Sequence, residues 1–296
     1  MNVYGYSGRE VVTDLVGLVG VVVPLVAVYY LVPAGVQEQL VLDYRSPTVT
    51  DVFASTYLHN PGPGAIHLWG NVLSFLLVAL PAWWLHLLTG RRRQFWMVMT
   101  AILFVFPVFV SAGSYAWFTY VLDASSVTTR GFSGVVGAVA GYLIISVLFH
   151  VATIREEDLL RSLSGVIVSA VTATLLVVNA DQFVPVLVVV RDVVPPSALA
   201  ATALGTVYTT RRLHVVEPRS MAAWGERNPG EAAAVVVGTV AFVAVFMAAF
   251  PSNPAPSGPV VNVVAHGTGV LLGVLTCAVV ESFEAPSRRR SRTASA

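Results

Sequence analysis

Residues 232–280 read AAAVVVGTVAFVAVFMAAFPSNPAPSGPVVNVVAHGTGVLLGVLTCAVV, with no Asp, Glu, Lys or Arg anywhere in the run. A helix crosses the hydrocarbon core of a bilayer with about 20 apolar residues. The run therefore holds two spans, and Pro251 to Pro259, rich in Pro, Ser and Gly, breaks it between them. Working outward, charge-free stretches predict a first helix over Leu15–Gln37, after Arg9, Glu10 and Asp14. A second covers His67–Leu88 and stops at Gly90 and Arg91–Arg93. A third covers Phe95–Ser111, a fourth Ser133–Thr153 and a fifth Ser162–Ala180. Between Asp181 and Arg212 the pattern is weaker: Arg191 and Asp192 precede Pro195-Pro196 and a short apolar stretch, 197–208.

The composition agrees with this reading. Of the 296 residues, 11% are charged and 56% apolar, against roughly 25% charged in an ordinary soluble domain. A soluble fold could not cover its surface with so few charges, which excludes a soluble enzyme, a disordered chain and a nucleic-acid binder. The expected fold class is an all-α multi-pass membrane protein of about eight transmembrane helices. The lone Cys277 excludes an internal disulfide and a Cys-built metal cage. The amino-terminal segment is too weakly basic, and its apolar stretch too long, for a cleaved signal peptide.

Basic residues collect on the cytoplasmic side of short loops. With the amino terminus inside and eight crossings, 14 of the 17 arginines fall inside, and Arg45, Arg130 and Arg191 fall outside. This places both termini in the cytoplasm and the protein in the cell membrane, with a disordered basic tail over 287–296.

Polar residues at membrane depth are costly and mark function or helix contacts. His67 and Asn71 stand one turn apart on one helix face, extended by Ser74. Gly131-Phe132-Ser133-Gly134 sets a serine at a helix start, where backbone N–H groups are unpaired. Ala265-His266-Gly-Thr-Gly269-Val-Leu-Leu-Gly273 places a histidine in an apolar helix. Together they supply a hydroxyl nucleophile, a base to take its proton, and donors for a developing oxyanion. Ser133, Gly137 and Gly141 form one small-residue stripe and Gly269 and Gly273 another, so two helices can approach closely.

These three motifs, in this order, resemble the H-x-x-x-N, G-x-S-G and A-H-x-x-G-x-x-x-G motifs of rhomboid intramembrane serine proteases. The likeness covers roughly residues 50–153 and 259–280. It implies a rhomboid-like bundle over residues 1–286, a six-helix core with an inserted pair of helices within about 162–250. It implies Ser133 as nucleophile, His266 as general base, and His67, Asn71 and the Ser133 backbone N–H as the oxyanion hole. Gly131, Gly134, Gly269 and Gly273 would be structural. No cofactor or metal is implied. The partners would be transmembrane segments of substrate membrane proteins, within the lipid bilayer. Three features depart from the family pattern: Tyr44-Arg45 stands where a Trp-Arg pair is usual, Gly137 stands where an aromatic packs on the catalytic ring, and 133 residues separate Ser133 from His266.

Rival readings are a rhomboid-like pseudoprotease that binds transmembrane clients without cutting them, and a small transporter. A transporter would show two related halves, and the sequence has no internal repeat. It has no H-E-x-x-H zinc motif and no pair of intramembrane aspartates. His86, His150 and His214 read as interfacial residues, and His59 as a structural contact.

Parity sets a test. If Ser133 and His266 meet at one surface, the chain crosses an odd number of times between Arg155 and His266, so a span must lie within 181–212. In a Cys277→Ala background, a cysteine at Asp181 should label from outside and one at His214 only from inside. Labelling of both from one face contradicts the eight-helix arrangement or the pairing.

Overall fold

The computed structural model describes residues 2–3, 5–59, 65–121, 123, 127–154, 218–250 and 262–293. The described residues are mostly helical. Four helices are long and apolar enough to cross a membrane, as expected of an all-α membrane protein: α1 (Gly8–Leu31), α4 (Ile66–Leu88), α7 (Ser133–Ile154) and α9 (Pro229–Ala249). A bent pair, α5 (Arg92–Phe104) and α6 (Phe106–Ala116, prolonged by a π-helical turn to Val121), makes a fifth candidate. The short helices are α2 (Ala34–Gln39), α3 (Val49–Ala54) and α8 (Pro218–Arg227). The last, α10 (Val263–Thr293), is apolar over Val263–Cys277. The spans expected at 162–180 and 197–208 lie outside the described residues. The backbone of α10 runs on to Thr293, into the stretch read as a disordered tail; arginine is a good helix former, so the helix is not stopped by composition.

The first helix begins earlier than Leu15 because of Ser7 and Glu10. The Glu10 amide donates to Ser7 Oγ at 3.3 Å, and the Ser7 amide donates to the Glu10 carboxylate at 2.9 Å, a capping box. Asp14 therefore lies inside α1, and it is 1% exposed. Such a charge survives burial only when fully paired. Arg92 grips both carboxylate oxygens, Nε at 2.8 Å and Nη2 at 2.7 Å, while the indole N–H groups of Trp83 and Trp96 donate at 3.0 and 2.8 Å. The helix stops before Pro33, which has no amide for the Tyr29 carbonyl, and Gln37 Nε2 reaches back to the carbonyls of Val28, Tyr29 and Val32 at 3.1, 3.4 and 2.8 Å.

The third expected span is bent by 44° where it was read as continuous. Pro107 has no amide to give the carbonyl of Leu103, one turn back. The Tyr57 hydroxyl donates to that carbonyl instead. Burial pushes this hydroxyl up to about 12, so it stays a donor.

Helix α7 is the axis of the bundle. Of its apolar window 83% is buried, against 17% for α1 on the rim. Its neighbours are α4, α9 and above all α10. A Cβ on Gly269 would fall on the Gly134 carbonyl oxygen, one on Gly273 on that of Ala138, and one on Gly141 on that of Val270. The two backbones therefore touch directly. Cys277 is fully buried, beside Ser146.

At the end of the bundle away from Ser133, His86 and His150 are only 2% and 7% exposed. They are interhelical contacts near the ends of α4 and α7. His86 Nδ1 donates to the Ala82 carbonyl at 2.7 Å, which leaves Nε2 to accept from the Tyr142 hydroxyl at 2.7 Å. His150 Nε2 lies 3.1 Å from Glu231 at the start of α9. His214 lies outside the described residues.

Removing the Asp14 carboxylate leaves four N–H donors, from three side chains, without their acceptor. Asp14→Ala should cost about 2–3 kcal/mol, with Asp14→Asn less harmful, measured by reversible unfolding in detergent. Parent stability in Asp14→Ala would show that the clamp contributes nothing.

Candidate active site

Ser133 opens α7, and His266 lies one turn into α10. The glycine contacts bring these two helix heads together: a Cβ on Gly134 would sit 3.3 Å from the Ala265 carbonyl oxygen, and one on Gly137 only 2.8 Å from that of His266. That last distance explains why no aromatic stands at 137. There is no room for any side chain between the axes.

The His266 ring is held from a different helix. Its Nδ1 donates to the Ala249 carbonyl at 2.6 Å, and the Phe250 ring meets it edge-on with centroids 5.9 Å apart. Both contacts come from the end of α9. With the proton fixed on Nδ1, Nε2 carries a lone pair, the form a general base needs. His266 is 6% exposed and Ser133 half-buried. No hydrogen bond joins Ser133 to His266 in this structure.

The segment before Ser133 is shaped by Gly131, whose φ of +132° is strained for any other residue. Its amide donates to the Ser55 carbonyl at 2.9 Å. Phe132 is fully buried against Tyr57 and Phe75. A Cβ on Gly131 would meet His67 Nε2 at 3.5 Å and Ser133 Oγ at 3.8 Å. The missing side chain thus leaves open the space between hydroxyl and imidazole.

His67 is at the exposed head of α4, which starts after Ala65 in a left-handed conformation, φ +49°. Asn71, one turn on, is buried. Its Nδ2 donates to the His67 carbonyl at 3.0 Å and to His59 Nε2 at 3.2 Å, so both amide hydrogens are engaged. His59 is 1% exposed and rests against the His67 ring, centroids 5.7 Å apart. All four sequence-predicted polar residues, Ser133, His266, His67 and Asn71, therefore lie at one end of the bundle. No group of three or more metal-binding side chains occurs among the described residues.

The sequence reading missed three contributors. Ala249 acts through its backbone and Phe250 through packing, and neither leaves a motif. Asn262, one turn before His266, has a signal: an Asn ahead of an apolar run, after a Pro-rich break, is a helix N-cap pattern. Tyr44 is buried, stacked on Phe118, while Arg45 is exposed. No protein-family model, no curated protein and no solved structure matches the chain.

Burial drives the His59 ring from its ordinary 6.5 down to about 4, and His67 adds to the fall. His59 is therefore neutral in the folded protein, and on unfolding it binds a proton at any pH between these values. Stability falls as pH drops from about 6.5 to about 4 and levels off below. The parent protein should lose more stability than His59→Gln across this window, read by unfolding at a series of pH values. Equal losses would show that His59 is not buried neutral.

Proposed function

We propose that this chain is a rhomboid-type intramembrane serine endopeptidase that cleaves transmembrane segments of client membrane proteins with a Ser133–His266 dyad. The observation that carries the reading is the joint placement of the two heads. Direct backbone contact between α7 and α10 sets Ser133 beside the His266 turn, and the Ala249 carbonyl commits the imidazole to its basic tautomer.

On this reading Ser133 Oγ attacks the scissile carbonyl carbon while His266 Nε2 takes its proton. The oxyanion is met by the Ser133 backbone N–H, His67 and Asn71. Collapse of the tetrahedral intermediate breaks the C–N bond, and His266 returns the proton to the leaving amine. Water, activated by the same imidazole, then hydrolyses the acyl-enzyme. The peptide bond must be free of helical hydrogen bonds, so clients with Gly or Pro near the cut are favoured. The site faces outward, both termini face the cytoplasm, and the protein resides in the cell membrane. A six-helix rhomboid-like core carries the site, with an inserted pair of helices within about 162–250.

Two resting contacts favour a second reading, a pseudoprotease that holds clients without cutting them. Ser133 and His266 are not hydrogen-bonded, and Asn71 has both N–H groups engaged. Against it, catalytic hydrogen bonds commonly tighten only when substrate is bound, and Asn71 needs only to exchange His59 for the oxyanion.

Purified protein in detergent should cut a membrane-helix substrate, and Ser133→Ala and His266→Ala should each abolish cutting while leaving the protein folded. Asn71→Ala and His67→Ala should each lower turnover by about 10²–10³-fold. Undiminished cleavage by Ser133→Ala sinks the assignment, and a parent protein that binds the substrate helix without cutting it favours the pseudoprotease.

A further inference from the structure

Four residues before each member of the dyad stands a side chain that reaches the other's segment: Thr129 before Ser133, and Asn262 before His266. Asn262 Nδ2 donates to Thr129 Oγ1 at 3.0 Å and to Ser114 Oγ of α6 at 2.8 Å. Its Oδ1 accepts the Ala265 amide at 3.0 Å, which makes Asn262 the N-cap of α10. Thr129 belongs to a two-residue strand, Thr128–Thr129, paired with Leu42–Asp43, and that strand runs through Gly131 into Ser133. The buried Tyr44 hydroxyl points toward Ser114, Thr129 and Asn262.

We propose that Asn262 is a positioning residue, a side-chain bridge that pins the head of the His266 helix to the strand leading into Ser133. This rests on the protease reading above. The glycine contacts fix how far apart the axes of α7 and α10 lie, but a smooth small-residue face resists sliding or rolling only weakly. The bridge adds directional bonds at the one end where the hydroxyl and imidazole must line up. Both hydrogens and the oxygen of the Asn262 amide are used, and together they reach three elements: α6, the strand, and the first turn of α10. A fully satisfied polar group of this kind is rigid, and its partners cannot shift independently.

The bridge and the cap can be separated by mutation. Asn262→Ser keeps a capping oxygen but is too short to reach Thr129. Thr129→Val removes the hydroxyl at nearly constant shape, and Thr129→Ser restores it. If Asn262 positions the dyad, Asn262→Ser and Thr129→Val each lower kcat roughly 10- to 100-fold, the range expected for misplacement by about 1 Å, with KM unchanged. Thr129→Ser recovers the parent kcat. The double variant is no slower than the worse single, because both break the same bridge. Unfolding midpoints measured in parallel show that each variant is folded. An inactive parent overturns the protease reading and this inference with it. An active parent with Asn262→Ser and Thr129→Val turning over at the parent rate, or with losses that multiply in the double variant, overturns this inference alone.

Discussion

The rest of the structure depends on the contact of glycine against carbonyl between α7 and α10. In lipid no hydrophobic force drives one apolar helix onto another, so close association must come from backbone approach and polar pairing. Gly134, Gly137 and Gly141 on one side, and Gly269 and Gly273 on the other, let the backbones touch, with carbonyls seated where side chains would stand. The consequences reach the site. The contact brings the heads of two helices far apart in sequence to one end of the bundle. It also leaves no room at position 137, so the group that packs on His266 comes from α9, which supplies Phe250 and the Ala249 carbonyl. In this chain the position of α9 and the orientation of the imidazole are therefore one variable.

A second pattern recurs in the bundle: several polar groups placed among apolar helices are answered by another element. The Asp14 carboxylate of α1 is met by Arg92 and two tryptophans of α4 and α5. The Leu103 carbonyl released by Pro107 is met by Tyr57, and His86 by Tyr142. Without water in the hydrocarbon region these pairings are obligatory. They also hold helices that packing alone would hold loosely. The rim helix α1 is the clearest case, because so little of it is buried. At the Ser133 end the same device links Asn71 to His59, and Asn262 to Thr129 and Ser114, while no hydrogen bond joins Ser133 to His266.

Much of this was legible in the sequence because bilayer thickness sets a length scale that apolar runs must match. The helices around His67, Ser133 and residues 232–250 were placed within a few residues, and the two small-residue stripes were visible as i, i+4 spacings. What was not legible depended on pairing between distant residues. Asp14 read as a boundary because nothing nearby compensates it; Arg92, 78 residues on, does. The bend at Phe104–Phe106 needed Pro107 to be weighed inside an apolar run, and the interhelical roles of His86 and His150 needed Tyr142 and Glu231. Backbone groups such as the Ala249 carbonyl carry no sequence signal at all.

The central claim is that Ser133 is an activated nucleophile and not one more small residue at a helix junction. The most direct measurement is reaction of the folded protein with a fluorophosphonate probe, followed by identification of the modified residue by mass spectrometry. A single adduct on Ser133, lost when His266 is replaced by Ala, is the expected result. An adduct on any other residue, or none on protein shown to be folded, would contradict it.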